Sequence, residues 1–159
     1  MSMLKTGAYS PDIWDITYDN DGEIAEGPGM AAVFPCTFDH PPEFKPTAIV
    51  WLECGSKLRC EDRDTVFNSG DVNATKSQLR GRMIVLEPDL AKKDCTTMIW
   101  NLQVSDTGSY KARVLGEMDG LTYRLTAHLR KPLKVTGMII CMLIKSEGCT
   151  NNAERIKDP

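Results

Sequence analysis

The chain has 159 residues, of which 42% are hydrophobic, 26% charged and 7% aromatic, which suits one domain with tails and leaves little room for a second. This is ordinary globular composition and excludes a low-complexity or collagen-like chain. A formal net charge of −3 argues against a generally basic nucleic-acid binder.

In chain order, residues 1–11 read as a flexible segment, and residues 1–22 lack the apolar core of a secretory signal. Short β-type runs then recur between turn residues, a spacing that points to an all-β sandwich or barrel. Residues 13–18 alternate and suit an edge strand, and 22–29, with Pro28, read as a turn-rich link. Residues 30–38 suit a strand that Pro35 interrupts, because proline lacks a ladder donor. A loop over 39–46 precedes a strongly apolar strand at 47–53, and 57–60 suit a short partner strand returning from Gly55 and Ser56. The polar stretch 61–80 reads as loops and short edge strands. Strands follow at 82–87, 96–104 and 109–115, then a turn at 116–120 and a last long strand over 121–135, its end disturbed by Pro132. Residues 137–159 read as an atypical, disordered tail. Its longest apolar run, 138–144, falls far short of the roughly 20 residues needed to cross a bilayer. The domain is therefore expected over residues 12–136.

Six cysteines are many for this length, but no C-x-x-C occurs and the histidines are His40 and His128 alone, so no zinc set is expected. Structural disulfides fit better. No Ser-His-Asp set, carboxylate pair or phosphate loop emerges, so neither an enzyme nor a cofactor is expected.

Three anchors sharpen the fold. Cys36 lies in an early strand, Trp51 in the next apolar strand, and Asp106-Thr107-Gly108-Ser109-Tyr110 precedes a late strand. The last segment resembles the tyrosine corner of immunoglobulin variable-type domains, in which a core tryptophan packs against the inter-sheet disulfide. That resemblance implies a V-type β-sandwich of two antiparallel sheets, with Trp51 and Tyr110 structural and Arg82 paired with Asp106. One position departs from the pattern. The second cysteine should follow Tyr110 by two residues, where this chain has Ala112. The next candidate partner for Cys36 is Cys95. In this fold the two would lie on neighbouring strands of one sheet, which makes the bridge intra-sheet.

These features resemble the N-terminal domain of the Siglecs, the sialic-acid-binding immunoglobulin-like lectins. That domain carries an intra-sheet bridge and lacks the later cysteine. The matching segments are 34–38 (FPCTF), 47–51 (TAIVW), 79–82 (LRGR), Cys95 and 106–114 (DTGSYKARV). The resemblance implies that Arg113 holds a sialic acid carboxylate. Strand alternation agrees: with Tyr110 turned into the core, Lys111 and Arg113 face outward. A guanidinium fork suits a planar carboxylate, giving two parallel charge-assisted bonds. The ordinary alternative is an exposed arginine in a cross-strand ion pair. Family sites also use aromatics near the glycerol tail and the N-acyl group, for which Tyr123 and Trp14 are the nearest candidates; both could equally be packing residues. For Arg124 the ordinary reading is a solvated charge and the alternative an anion contact; for Lys111 it is a solvated lysine, with the alternative that it raises the local positive potential.

Cys54 and Cys60 either bridge a hairpin, stay free or link elsewhere, and Cys141 and Cys149 are unassigned. Asn73-Ala74-Thr75 is a glycosylation sequon. The expected function is that of a cell-surface lectin-type domain, with sialylated glycoproteins or glycolipids as partners, in adhesion or immune signalling. The alternative is a receptor domain that binds protein through the same outer face. The chain reads as a piece of a larger single-pass receptor, with membrane attachment supplied by segments it does not contain.

Overall fold

Eleven strands account for most of the regular structure in the computed structural model, which describes residues 13–19 and 22–136. They are β1 (Asp15–Tyr18), β2 (Ile24–Glu26), β3 (Ala32–Phe34), β4 (Cys36–Asp39), β5 (Lys45–Glu53), β6 (Thr65–Asn68), β7 (Met83–Val85), β8 (Thr97–Ile99), β9 (Gly108–Met118), β10 (Leu121–Thr126) and β11 (Lys131–Val135). One layer has the order β2-β11-β9-β5-β6, with β10 also pairing β9. The other layer combines the sheet β3-β8-β7 with the pair β1-β4. Pro35, which has no N–H to donate, separates β3 from β4. The Cys95 amide donates to the Cys36 carbonyl (2.9 Å), and Thr37 faces Asp94 in an isolated bridge, so β4 runs beside the segment that enters β8.

Several elements differ from the sequence expectation. The link at 22–29 contains β2, which pairs in parallel with β11. Residues 57–60 form no strand, and the antiparallel partner of β5 on that side is β6. The strand expected over 96–104 stops at Ile99, with a one-turn 3-10 helix at Val104–Asp106. Gly116 belongs to β9, and the turn that follows is only Asp119-Gly120, both with positive φ (55° and 75°), the geometry that lets two residues close a twisted hairpin. Residues 121–135 form two strands rather than one. Four residues, 127–130, face the two residues Lys111 and Ala112, because Thr126 pairs with Arg113 and Lys131 with Tyr110.

The core sits between the layers around the fully buried Trp51. Phe34 meets its ring edge-on (5.0 Å) and Tyr18 stacks on it (6.1 Å). Its indole N–H donates to Thr97 Oγ1 (2.8 Å), which satisfies the ring's one polar atom. At one end Arg82 makes a bidentate pair with Asp106 (2.9 and 3.0 Å), and the Tyr110 hydroxyl donates to the Asp106 carbonyl. Cys36 and Cys95 are joined, with Cα atoms 4.9 Å apart, and Cys54 is joined to Cys60. Cys141, Cys149, the apolar run 138–144 and the segment 1–11 lie outside the described residues.

Candidate functional site

Strand β9 places Arg113 on the outer face of the larger layer, opposite the core-facing Ala112 and Val114. The arginine is not open to solvent as the alternation suggested: it is 8% exposed. A one-turn 3-10 helix at Asp62–Asp64 lies over it. Arg113 Nη1 donates to Asp62 Oδ1 (2.9 Å), and Nε donates to Thr126 Oγ1 (3.0 Å) on β10. The other carboxylate oxygen of Asp62 accepts from Arg124 Nη2 (2.9 Å). One carboxylate thus sits between two guanidinium groups.

A cleft of about 430 Å³ surrounds this cluster, lined by Val50, Asp62, Arg63, Thr65, Asn68, Ala74, Arg113, Leu115 and Arg124. It pairs apolar walls from β5 and β9 with cations from β9 and β10. A larger cleft of about 610 Å³ lies at the β6 and β7 edges. Its walls are mainly apolar, and its one arginine, Arg80, donates through Nε to the Thr75 carbonyl (2.9 Å).

Local bonding fixes the loop that carries Asp62. The Cys54–Cys60 bridge closes its base. Asp64 accepts from the Glu61 amide (2.7 Å) and from Lys57 Nζ (2.9 Å), and these two bonds, the lysine's first, hold its carboxyl below the usual carboxylate range. Arg130 donates from β11's approach to the carbonyls of Gly55 and Lys57. Lys111 stands on the same face as Arg113. Burial, and then the nearby Arg130 and Arg113, push its ammonium below the ordinary lysine value.

Trp14 and Tyr123 come together, with ring centroids 6.4 Å apart, but not at this cleft. Tyr123 alternates with Arg124 along β10 and pairs with Gly116, so it turns toward the core side, where Trp14 also meets Phe44 edge-on (5.2 Å). Neither lines the Arg113 cleft. Asn73 is exposed on the one-turn helix Val72–Ala74, next to the cleft residue Ala74. The sequence reading missed Asp62 and Thr126 altogether. The signal that pointed nearest was the closely spaced pair Cys54 and Cys60, which anchors the Asp62 loop. Among the described residues, no group of three or more His, Cys, Asp or Glu side chains could hold a metal ion, and no helix is long and apolar enough to cross a membrane.

No family model matches the chain. Among solved structures it is similar to murine CRIg, at 18% identity and a TM-score of 0.56, covering 76% of this chain and 97% of that one. It is also similar to the two tandem V-type regions of VCBP3, a v-region-containing chitin binding protein, at 17% identity and a TM-score of 0.51 over 79% of this chain. The match takes in 52% of that two-region structure, so this chain spans about half its length. At these identities the likeness carries the fold, and the fold is that of a V-type immunoglobulin domain.

Proposed function

We propose that this V-type domain is the recognition module of a cell-surface protein and binds sialylated glycans through Arg113. The observation that carries the reading is that Arg113 already holds a carboxylate. Its Nη1 donates to one oxygen of Asp62 on the outer sheet face, inside a cleft with apolar walls where a second arginine, Arg124, holds the other oxygen. A glycan carboxylate in the same place would receive the same charge-assisted bonds. The resemblance of residues 106–114 to the Siglec strand supports the same assignment. Trp14 and Tyr123 are not needed as contacts in this reading, because they belong to the aromatic cluster beside Phe44. One such site binds weakly, so function relies on many copies displayed together.

The test is to produce the whole chain through an oxidising secretory route, display it multivalently and measure binding to cells before and after sialidase treatment. Binding is expected to fall with sialidase and with Arg113→Ala. Binding indifferent to both would favour the second reading, a protein-binding receptor face.

A further inference from the structure

We propose that Asp62 is a specificity-determining residue, a built-in carboxylate that an acidic ligand must replace to reach Arg113 and Arg124. The inference rests on the sialic-acid reading above and adds what the ligand has to do on arrival. Both oxygens of Asp62 are used, one by Arg113 Nη1 and the other by Arg124 Nη2, each at 2.9 Å. That is the arrangement an incoming carboxylate would adopt, and two carboxylates cannot share it without like-charge repulsion. The Arg113 side chain is only 9% exposed, whereas that of Asp62 is 63% exposed. Asp62 is therefore the movable member of the cluster and Arg113 the fixed one.

The loop holds Asp62 in place by bonds that do not involve it. These are the Cys54–Cys60 bridge, the reciprocal contacts of Glu61 and Asp64, and the Lys57–Asp64 ion pair. Release of the carboxylate therefore needs only a side-chain turn into solvent, with the loop left where it is. Two properties follow. A ligand that lacks an acid cannot displace Asp62 and is refused. A ligand that places one carboxylate across both arginines regains both lost contacts and is selected. The apparent affinity is the intrinsic affinity scaled by the fraction of molecules whose Asp62 has let go, so a contact closed in about nine of ten molecules weakens binding about tenfold.

The probe is sialyllactose on a soluble polymer, with lactose on the same polymer as control and the full chain as the protein. Asp62→Asn and Asp62→Ala are each expected to bind the sialylated polymer roughly tenfold more tightly than the parent. Arg113→Ala added to either variant should abolish that binding. If the parent binds in an Arg113-dependent way while both variants bind equally or more weakly, Asp62 is not a competitor, and the sialic-acid reading survives without it. If neither parent nor variants distinguish sialyllactose from lactose, both fall. A measurement on the parent removes any dependence on the variants' folding. Free N-acetylneuraminic acid, titrated into protein with labelled aspartate carboxyl carbons, should move the Asp62 resonance together with the Arg113 Nε resonance. An Asp62 resonance that stays still while Arg113 responds overturns the proposal.

Discussion

Tyr110 and Arg113 stand three positions apart on β9 and are held in opposite ways. Arg113 faces outward and is satisfied by side chains, Asp62 and Thr126. Tyr110 faces inward and is satisfied by backbone, its hydroxyl donating to the carbonyl of Asp106 while that residue's carboxylate holds Arg82. Burial first, and then the Asp106 charge, hold the Tyr110 hydroxyl well above its ordinary value. The sign of the pH effect follows. Folded Tyr110 keeps its proton where the unfolded chain has begun to lose it, so its contribution is complete below the ordinary tyrosine value near pH 10 and is lost as pH rises through the folded value. Tyr18, also raised by burial, adds to the same alkaline limb. Tyr110→Phe should cost about 1 kcal/mol at neutral pH through the lost hydrogen bond. It should also flatten the decline of stability between about pH 9 and about pH 11. Urea titrations across that range check both. An alkaline limb as steep as the parent's would separate the tyrosine from the effect.

Among the elements, β9 carries most of the architecture, since it pairs with β5, β10 and β11. Its two glycines differ in what surrounds them. A Cβ on Gly116 would lie 2.2 Å from Phe44 Cζ and 2.6 Å from the Lys45 carbonyl, a rigid ring and a backbone atom. A Cβ on Gly108 would meet the Glu53 carboxylate at 2.9 Å, the far end of a flexible side chain. Gly116→Ala should therefore destabilise by about 1–3 kcal/mol or more, as overpacking does, and Gly108→Ala by clearly less. Thermal melts of the two variants test the contrast, and equal losses would count against it. This difference also marks what could be read from the chain. The tyrosine corner, Trp51 and the missing cysteine at Ala112 are motifs with local spacing, and they led to the fold and to Arg113. The parallel pairing of β2 with β11 and the choice of β6 over 57–60 as the partner of β5 depend on long-range register, which local pattern does not encode. Asp62 lies 51 positions from Arg113, and a disulfide and a capped turn bring it there. Tyr123 is a ligand candidate only through the family resemblance; along β10 it alternates with Arg124 and packs beside Trp14 rather than lining the Arg113 cleft, a phase that local spacing does not give.

For the whole molecule, the absence of a cysteine at position 112 leaves open how the two layers are fastened. The Cys36–Cys95 bridge joins neighbouring chain segments of one layer, shown by the hydrogen bond between their backbones. It therefore does little to hold one layer against the other. Beside the apolar core and the Trp51–Thr97 hydrogen bond, Tyr18 fastens the layers through its ring and its hydroxyl. It leaves β1, stacks on Trp51 and carries its hydroxyl to β9, where it accepts from the Ala112 amide (3.2 Å) and donates to the Leu129 carbonyl (2.9 Å). Both backbone groups belong to the place where 127–130 bulge away and regular pairing with β9 lapses. The small side chain of Ala112 and the break between β10 and β11 thus create a gap that one tyrosine fills from the opposite layer. Tyr18→Phe keeps the stacked ring and removes only the hydroxyl. It leaves the Ala112 N–H without its acceptor, and an unpaired buried donor costs about 1–3 kcal/mol, more than a surface hydrogen bond would. Hydrogen exchange should show the loss locally as well, with faster exchange at Ala112 and little change within β3, β7 and β8. A variant as stable as the parent, with Ala112 equally protected, would mean that the bulge is satisfied by other groups and that the layers are held without the Tyr18 hydroxyl.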